Sequence, residues 1–130
     1  MPKKNDEFTV ILKKAHIQWG THRHTSTRGL IYGEGYIQIP SKIATSFNIY
    51  MSNKVGANTE YTCNSSDGFL KNVILKASGS QGQNLEYAKQ FQGSGNLKAL
   101  GDWYHAINAE VGDKIKVLFN SATDITLSKV

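Results

Sequence analysis

The sequence is poor in cysteine and proline and contains no long apolar run. Its one cysteine, Cys63, cannot close an internal disulfide, and we expect it to pack as a small apolar side chain in the strand-like segment TEYTCNS. No window approaches the roughly 18 consecutive apolar residues of a membrane span. The first residues, MPKKNDEF, lack the apolar stretch of a secretory signal. We therefore expect a cytoplasmic protein with no membrane partner.

Motifs of several large enzyme classes are also absent. The chain has no nucleophile elbow, no Walker-type phosphate loop and no zinc-protease helix. Its carboxylates are scattered, and Asp113, which follows a glycine and precedes a strand, suits a turn. His22 and His24 share a segment without the cysteines or spaced carboxylates that complete a zinc site. We therefore expect no catalytic residue, no metal and no cofactor.

The composition suits one small basic domain. The 130 residues are enough for a single core, and we assign 1–7 to a flexible N-terminus and 8–130 to one domain. The net charge is +5, and residues 1–28 hold six basic and two acidic side chains, a local excess of +4. A basic segment in a chain of pI 9.3 is typical of a polyanion-binding surface. A solvated basic tail has the same composition.

Apolar and polar residues alternate along much of the chain, which indicates β-strands. FTVILKKAHIQW predicts the first strand, and GYIQIP predicts another that ends at Pro40. Turn residues at 65–68 predict a hairpin, and KIKVLFNSATDITL predicts a closing hairpin. Ile43 and Phe47, four residues apart, predict a short helix after Pro40. A second helix is predicted by apolar residues at three- and four-residue steps: Leu97, Leu100, Tyr104 and Ile107.

Two long polar segments interrupt this pattern. GTHRHTSTRG has no large apolar side chain, and SGSQGQNLEYAKQFQGSGN is rich in glycine, serine and glutamine. Long loops in compact domains are often functional, although solvated surface loops tolerate the same residue types. Several aromatic residues that could stack on bases lie in strand-like or helix-like patterns instead, so we expect them to pack in the core or at its rim. These are Trp19, Tyr32, Tyr36, Trp103 and Tyr104.

The order of these segments is more specific than any one of them. GYIQIPSKIATSFNI followed by VGDKIKVLFNSATDITLSKV resembles the B3 DNA-binding domains and their bacterial relatives, in which a strand, a proline, a short helix and a final hairpin occur in this order. The resemblance covers residues 8–130, although each motif alone also occurs in transition-state regulators and related antitoxins. The second polar segment resembles that of the B3-like recognition domains associated with bacterial restriction endonucleases.

The resemblance implies a mainly β fold, a seven-stranded open barrel with two short helices, whose N-arm and C-arm enter the major groove of DNA. The N-arm candidates are His22, Arg23, His24, Thr25, Ser26, Thr27 and Arg28. The C-arm candidates are Ser78, Ser80, Gln81, Gln83, Asn84, Lys89, Gln90 and Gln92. Lys13, Lys14 and Lys71 are expected to hold phosphates from the rim. Arginine suits guanine edges and amides suit adenine edges, so Arg23 and Arg28 are our first candidates for base reading.

These observations predict a monomer that binds double-stranded DNA in a sequence-specific manner and catalyses no reaction. By resemblance, it serves as the recognition module of a restriction–modification system, whose nuclease lies in another domain or chain. The alternative is a small barrel that binds a ligand or a protein, with the polar segments framing a pocket or groove. An enzyme with nuclease activity of its own ranks third because the chain shows no convincing catalytic set.

Overall fold

A single curled sheet forms most of the molecule. The computed structural model describes residues 2–17, 35–51, 56–79 and 86–130. Within these ranges the strand order is β1-β6-β7-β3-β4-β5-β2, so the barrel is nearly closed with an unsealed seam. The strands are β1 (Glu7–Ile11), β2 (Ile37–Gln38), β3 (Glu60–Ser65), β4 (Val73–Ser78), β5 (Gln90–Gly93), β6 (Lys114–Ser121) and β7 (Asp124–Lys129). The predicted mainly β fold and seven-stranded open barrel are confirmed.

The segment predicted as one long first strand is divided in the structure. Strand β1 ends at Ile11, and a single helical turn, α1 (Lys14–Ile17), follows it. The His16 N–H donates to the Lys13 carbonyl over 3.0 Å, and the Lys13 N–H donates to His16 Nδ1 over 3.1 Å. This side-chain bond offers the backbone a partner outside the sheet, and the strand prediction is wrong from Leu12 to Ile17.

The two predicted helices are confirmed. Helix α2 (Ser41–Ser46) follows Pro40, whose carbonyl accepts bonds from the Ile43 and Ala44 N–H groups. Proline fits this position because it has no N–H to leave unpaired. Helix α3 (Ala99–Ala106) buries Leu100, Trp103 and Tyr104 and exposes Asp102 and His105. Both helices therefore contribute their apolar faces to the core.

The core lies inside the barrel, as the alternation of side chains predicts. Strand β6 buries Ile115, Val117 and Phe119, and β7 buries Ile125 and Leu127 beside them, with Val117 opposite Leu127 and Phe119 opposite Ile125. Cys63, on β3, has no exposed surface, which confirms its packing role. The outward positions between these residues are polar or charged in most strands, and they carry the candidate functional surface.

Two glycines allow α3 and its approach segment to lie close to the sheet. A Cβ on Gly35 would meet the Gly101 nitrogen and the His16 carbonyl oxygen, each at 3.0 Å. A Cβ on Gly93 would overlap the carbonyl oxygen of Asn96. At both positions the close contact is with backbone, which cannot move aside as a flexible side chain can.

Candidate nucleic-acid interface

The predicted N-arm residues, 22–28, lie outside the described part of the chain, but the residues that flank them mark where this segment leaves the barrel. The Tyr36 N–H donates to the His16 carbonyl over 3.1 Å, which joins the two ends of segment 18–34. The Gly35 N–H donates to the Leu97 carbonyl over 3.3 Å. Since Ile37 pairs with Phe91 in an antiparallel register, Gly35 lies opposite Gly93, the last residue of β5.

The C-arm segment leaves the barrel at the other end of β5. Ser78 pairs with Gln90, and the Lys89 N–H donates to the Ser78 carbonyl over 3.0 Å, which joins the two ends of segment 79–89. Gly79 has a φ of +73°, and a Cβ there would meet the Lys89 side chain at 3.3 Å. Four of the predicted C-arm contacts lie outside the described ranges: Ser80, Gln81, Gln83 and Asn84.

The two arm bases are therefore separated by the length of β5. Four residues of strand span about 10 Å, and the major groove of B-DNA is about 12 Å wide. The surface between the two bases is the outward face of β2, β5 and β4.

Six outward residues make up this surface, which we call the polar face. Gln38, Gln90 and Ser78 form one row across β2, β5 and β4, since Gln90 pairs with both of the others. Gln92, Lys76 and Glu60 form the next row, since Lys76 pairs with both of its neighbours. Residues opposite one another on one face of a sheet have Cβ atoms about 5 Å apart, so the rows form a continuous patch.

Hydrogen bonds order this patch. The Gln90 Nε2 donates to the Gln92 Oε1 over 2.9 Å. The hydroxyl of Ser94 donates to the Glu60 Oε2 over 3.1 Å. Lys76 forms no ion pair with any described residue. The ion pairs within the described ranges join Lys116 to Glu7 and Lys129 to Asp113, away from the polar face. The patch thus presents amides together with one lysine and one glutamate that lie opposite each other, so its six residues carry no net charge.

His16 links the base of the N-arm segment to the polar face. Its imidazole is 2% exposed and packs edge-on against the Tyr36 ring, with 4.9 Å between the ring centroids. Burial, reinforced by the nearby charge of Lys13, lowers the pKa of His16 to about 4, although a hydrogen bond to the Gln38 side chain opposes this shift. His16 is therefore neutral at pH 7, and it accepts a bond at Nδ1 from Lys13.

The structure separates the lysines predicted as phosphate contacts. Lys13 and Lys14 are exposed beside His16, at the base of the N-arm segment. Lys71 is also exposed, but it precedes β4, whereas the C-arm segment follows β4. Six residues of strand, which span about 17 Å, lie between Lys71 and that segment. Lys13 and Lys14 are thus better placed beside an arm base than Lys71 is.

Of the described C-arm candidates, Ser78 and Gln92 are half-buried, Lys89 is exposed, and Gln90 is buried at 7% exposure. The sequence interpretation missed Gln38 and Lys76. Both lie at polar positions between inward apolar residues, so strand alternation carried the signal that they face outward. It carried no signal that β2, β5 and β4 are adjacent.

The aromatic residues behave as expected where the structure describes them. Trp103 and Tyr104 are buried in the core, and Tyr104 donates its hydroxyl to the Tyr36 carbonyl over 2.8 Å. Tyr36 is half-buried at the rim. Trp19 and Tyr32 lie outside the described residues.

Two comparisons with known proteins found no match for this chain. No protein-family model matches it, and no curated protein matches it. Among the described residues, no helix is long and apolar enough to cross a membrane.

Proposed function

We propose that this chain binds double-stranded DNA in a sequence-specific manner, with the polar face against the major groove between the two arm bases. The observation that carries this proposal is the composition of the polar face, which presents amides and a lysine side by side on three neighbouring strands. Amides match the donors and acceptors on base edges, and a lysine matches phosphate. Glu60, the carboxylate of the face, accepts a hydrogen bond from Ser94 and lies opposite Lys76.

The predicted arm residues complete this interface. Arg23 and Arg28 supply guanidinium groups for guanine edges, while Lys13 and Lys14 hold phosphates near the base of the N-arm segment. On the resemblance to B3-like domains, we further propose that the chain is a cytoplasmic recognition module of a restriction–modification system. It acts as a monomer without cofactor, and cleavage belongs to a nuclease in another domain or chain.

A binding selection from randomised duplexes at near-physiological salt tests this function. We expect one enriched motif, bound at least about 1,000-fold more tightly than a scrambled duplex of the same length. The affinity should fall steeply with salt, since each neutralised phosphate releases counterions. Uniform weak binding would reduce the interaction to charge, and no duplex binding would favour a barrel that binds a ligand or a protein.

A further inference from the structure

One amide of the polar face is largely buried. Gln90 is 7% exposed, although its neighbours on the same face, Gln38 and Gln92, are half-buried. Its Nε2 donates to the Gln92 Oε1 over 2.9 Å. A buried amide is costly unless it is hydrogen-bonded, so this bond defines the position of Gln90. The contact with DNA predicted for Gln90 is therefore better assigned to the residue that it holds.

In the structure the same bond orients Gln92. An amide presents its oxygen on one side and its NH₂ group on the other. Because Oε1 turns toward Gln90, the Nε2 of Gln92 turns away from it. Nε2 has no acceptor within the described ranges. The half-buried Gln92 side chain thus offers two N–H donors at the polar face, between the two arm bases.

We propose that Gln92 reads one base of the bound duplex through its NH₂ group, and that Gln90 is a positioning residue that holds this group outward. This inference rests on the proposed function. In the major groove, adenine, guanine and thymine each present an acceptor, whereas cytosine presents only an amino donor. Held in this orientation, Gln92 can donate a hydrogen bond to adenine, guanine or thymine at its position, but it finds no acceptor on cytosine.

Two substitutions of Gln92 test the reading of the base. Gln92→Ala should lower the affinity for the selected duplex by about 5- to 150-fold, and the affinity for a scrambled duplex by less than about twofold. Gln92→Glu presents only acceptors, so cytosine should become the favoured base at one position of the selected motif. Equal losses on both duplexes would make Gln92 a phosphate contact and overturn the inference.

A double substitution tests the positioning role of Gln90. Gln90→Met keeps the length of the side chain and removes the hydrogen bond, so Gln92 is free to present either its oxygen or its NH₂ group. Discrimination against cytosine should fall about 3- to 10-fold in the wild-type background and stay unchanged in the Gln92→Ala background, because Gln90 acts only through Gln92. A loss of the same size in both backgrounds would show a merely structural effect.

The selection from randomised duplexes, repeated with the Gln92 variants, separates this inference from the function on which it rests. If the wild-type chain selects no duplex motif, the proposed function fails and the inference fails with it. If the wild-type chain selects a motif that Gln92→Ala and Gln92→Glu both bind unchanged, the function stands and the inference alone is overturned. Circular dichroism and urea unfolding of each variant confirm that the compared proteins are folded.

Discussion

The indole nitrogen of Trp103 donates a hydrogen bond of 2.8 Å to the carboxylate of Asp67, which joins α3 to the turn between β3 and β4. The same carboxylate accepts bonds from the Ser65 hydroxyl and the Phe69 N–H, at 2.6 and 2.9 Å. On its own, partial desolvation would raise the pKa of Asp67. The three hydrogen bonds have a larger combined effect, and they lower the pKa below its usual 3.8. Asp67 is therefore ionised whenever the protein is near neutral pH.

Asp67→Ala should reduce the free energy of unfolding by about 2 to 3 kcal/mol at pH 7, because it leaves the buried Trp103 N–H without an acceptor. Urea denaturation measures this loss, and Ser66→Ala, an exposed change in the same turn, is the control. A carboxylate whose pKa is lowered by folding stabilises above its unfolded pKa and loses that effect in acid. The difference between wild type and Asp67→Ala should therefore shrink below pH 3.8.

The buried His16 should make stability depend on pH. Folding lowers its pKa from 6.5 to about 4, so the unfolded chain binds the proton first and stability falls as the pH drops from 6.5 toward 4. The loss is about 2 to 3 kcal/mol by pH 4.5. His16→Gln, which keeps an acceptor and a donor, should remove this part of the pH dependence. Urea unfolding of both proteins at pH 7 and pH 4.5 measures this difference. An equal loss of stability in wild type and His16→Gln would show that His16 does not cause the pH dependence.

Gly35→Ala should disturb the base of the N-arm segment. The added Cβ meets two backbone atoms at 3.0 Å, so α3 or the His16 turn must shift. We expect a loss of about 1 to 3 kcal/mol in unfolding free energy, as for other overpacked sites. The affinity for the selected duplex should fall as well, since the N-arm base moves relative to the polar face. Unchanged stability would show that the backbone relaxes without cost.

Lys76→Gln should weaken binding to selected and scrambled duplexes by the same factor, about 2- to 5-fold at physiological salt. It should also reduce the slope of log affinity against log salt by about 1, because one phosphate contact is lost. Lys116→Gln removes the same charge from β6, where the lysine is paired with Glu7 at 3.3 Å, and is the matched control. Equal effects of the two variants would show that only net charge matters.

Arg23→Ala and Arg28→Ala should each weaken specific binding more than non-specific binding. An arginine that bonds both acceptors of a guanine contributes about 1 to 3 kcal/mol of discrimination. Titration of each variant with the selected and the scrambled duplex measures the two losses. If the losses are equal, the arginines hold phosphates and read no base.

Much of the fold was predictable because local spacing decides it. Alternation located the closing hairpin around Val117 and Leu127, and four-residue spacing located the helix that contains Ile43. The turn at Lys13 was missed because a side-chain bond from His16 competes with the strand there. Such a bond depends on one rotamer, which periodicity does not encode.

For the candidate site, only the types of residue could be predicted from the sequence. Gln90 and Gln92 were assigned to the C-arm by residue type, but which of them is buried follows from the pairing of β5 with β2 and β4. That pairing brings Gln38 beside Gln90, although the two residues are 52 positions apart in the sequence. Local pattern contains no information about neighbours so distant along the chain.

The parallel pair of β3 and β7 has a consequence for synthesis. Strand β7, the last in sequence, lies between β6 and β3 in the middle of the sheet. Until the ribosome has released residues 124–129, β1 and β6 have no hydrogen-bonded connection to β3, β4, β5 and β2. The two parts of the sheet therefore join only after translation of β7, and the nascent chain exposes the edges of β3 and β6 until then.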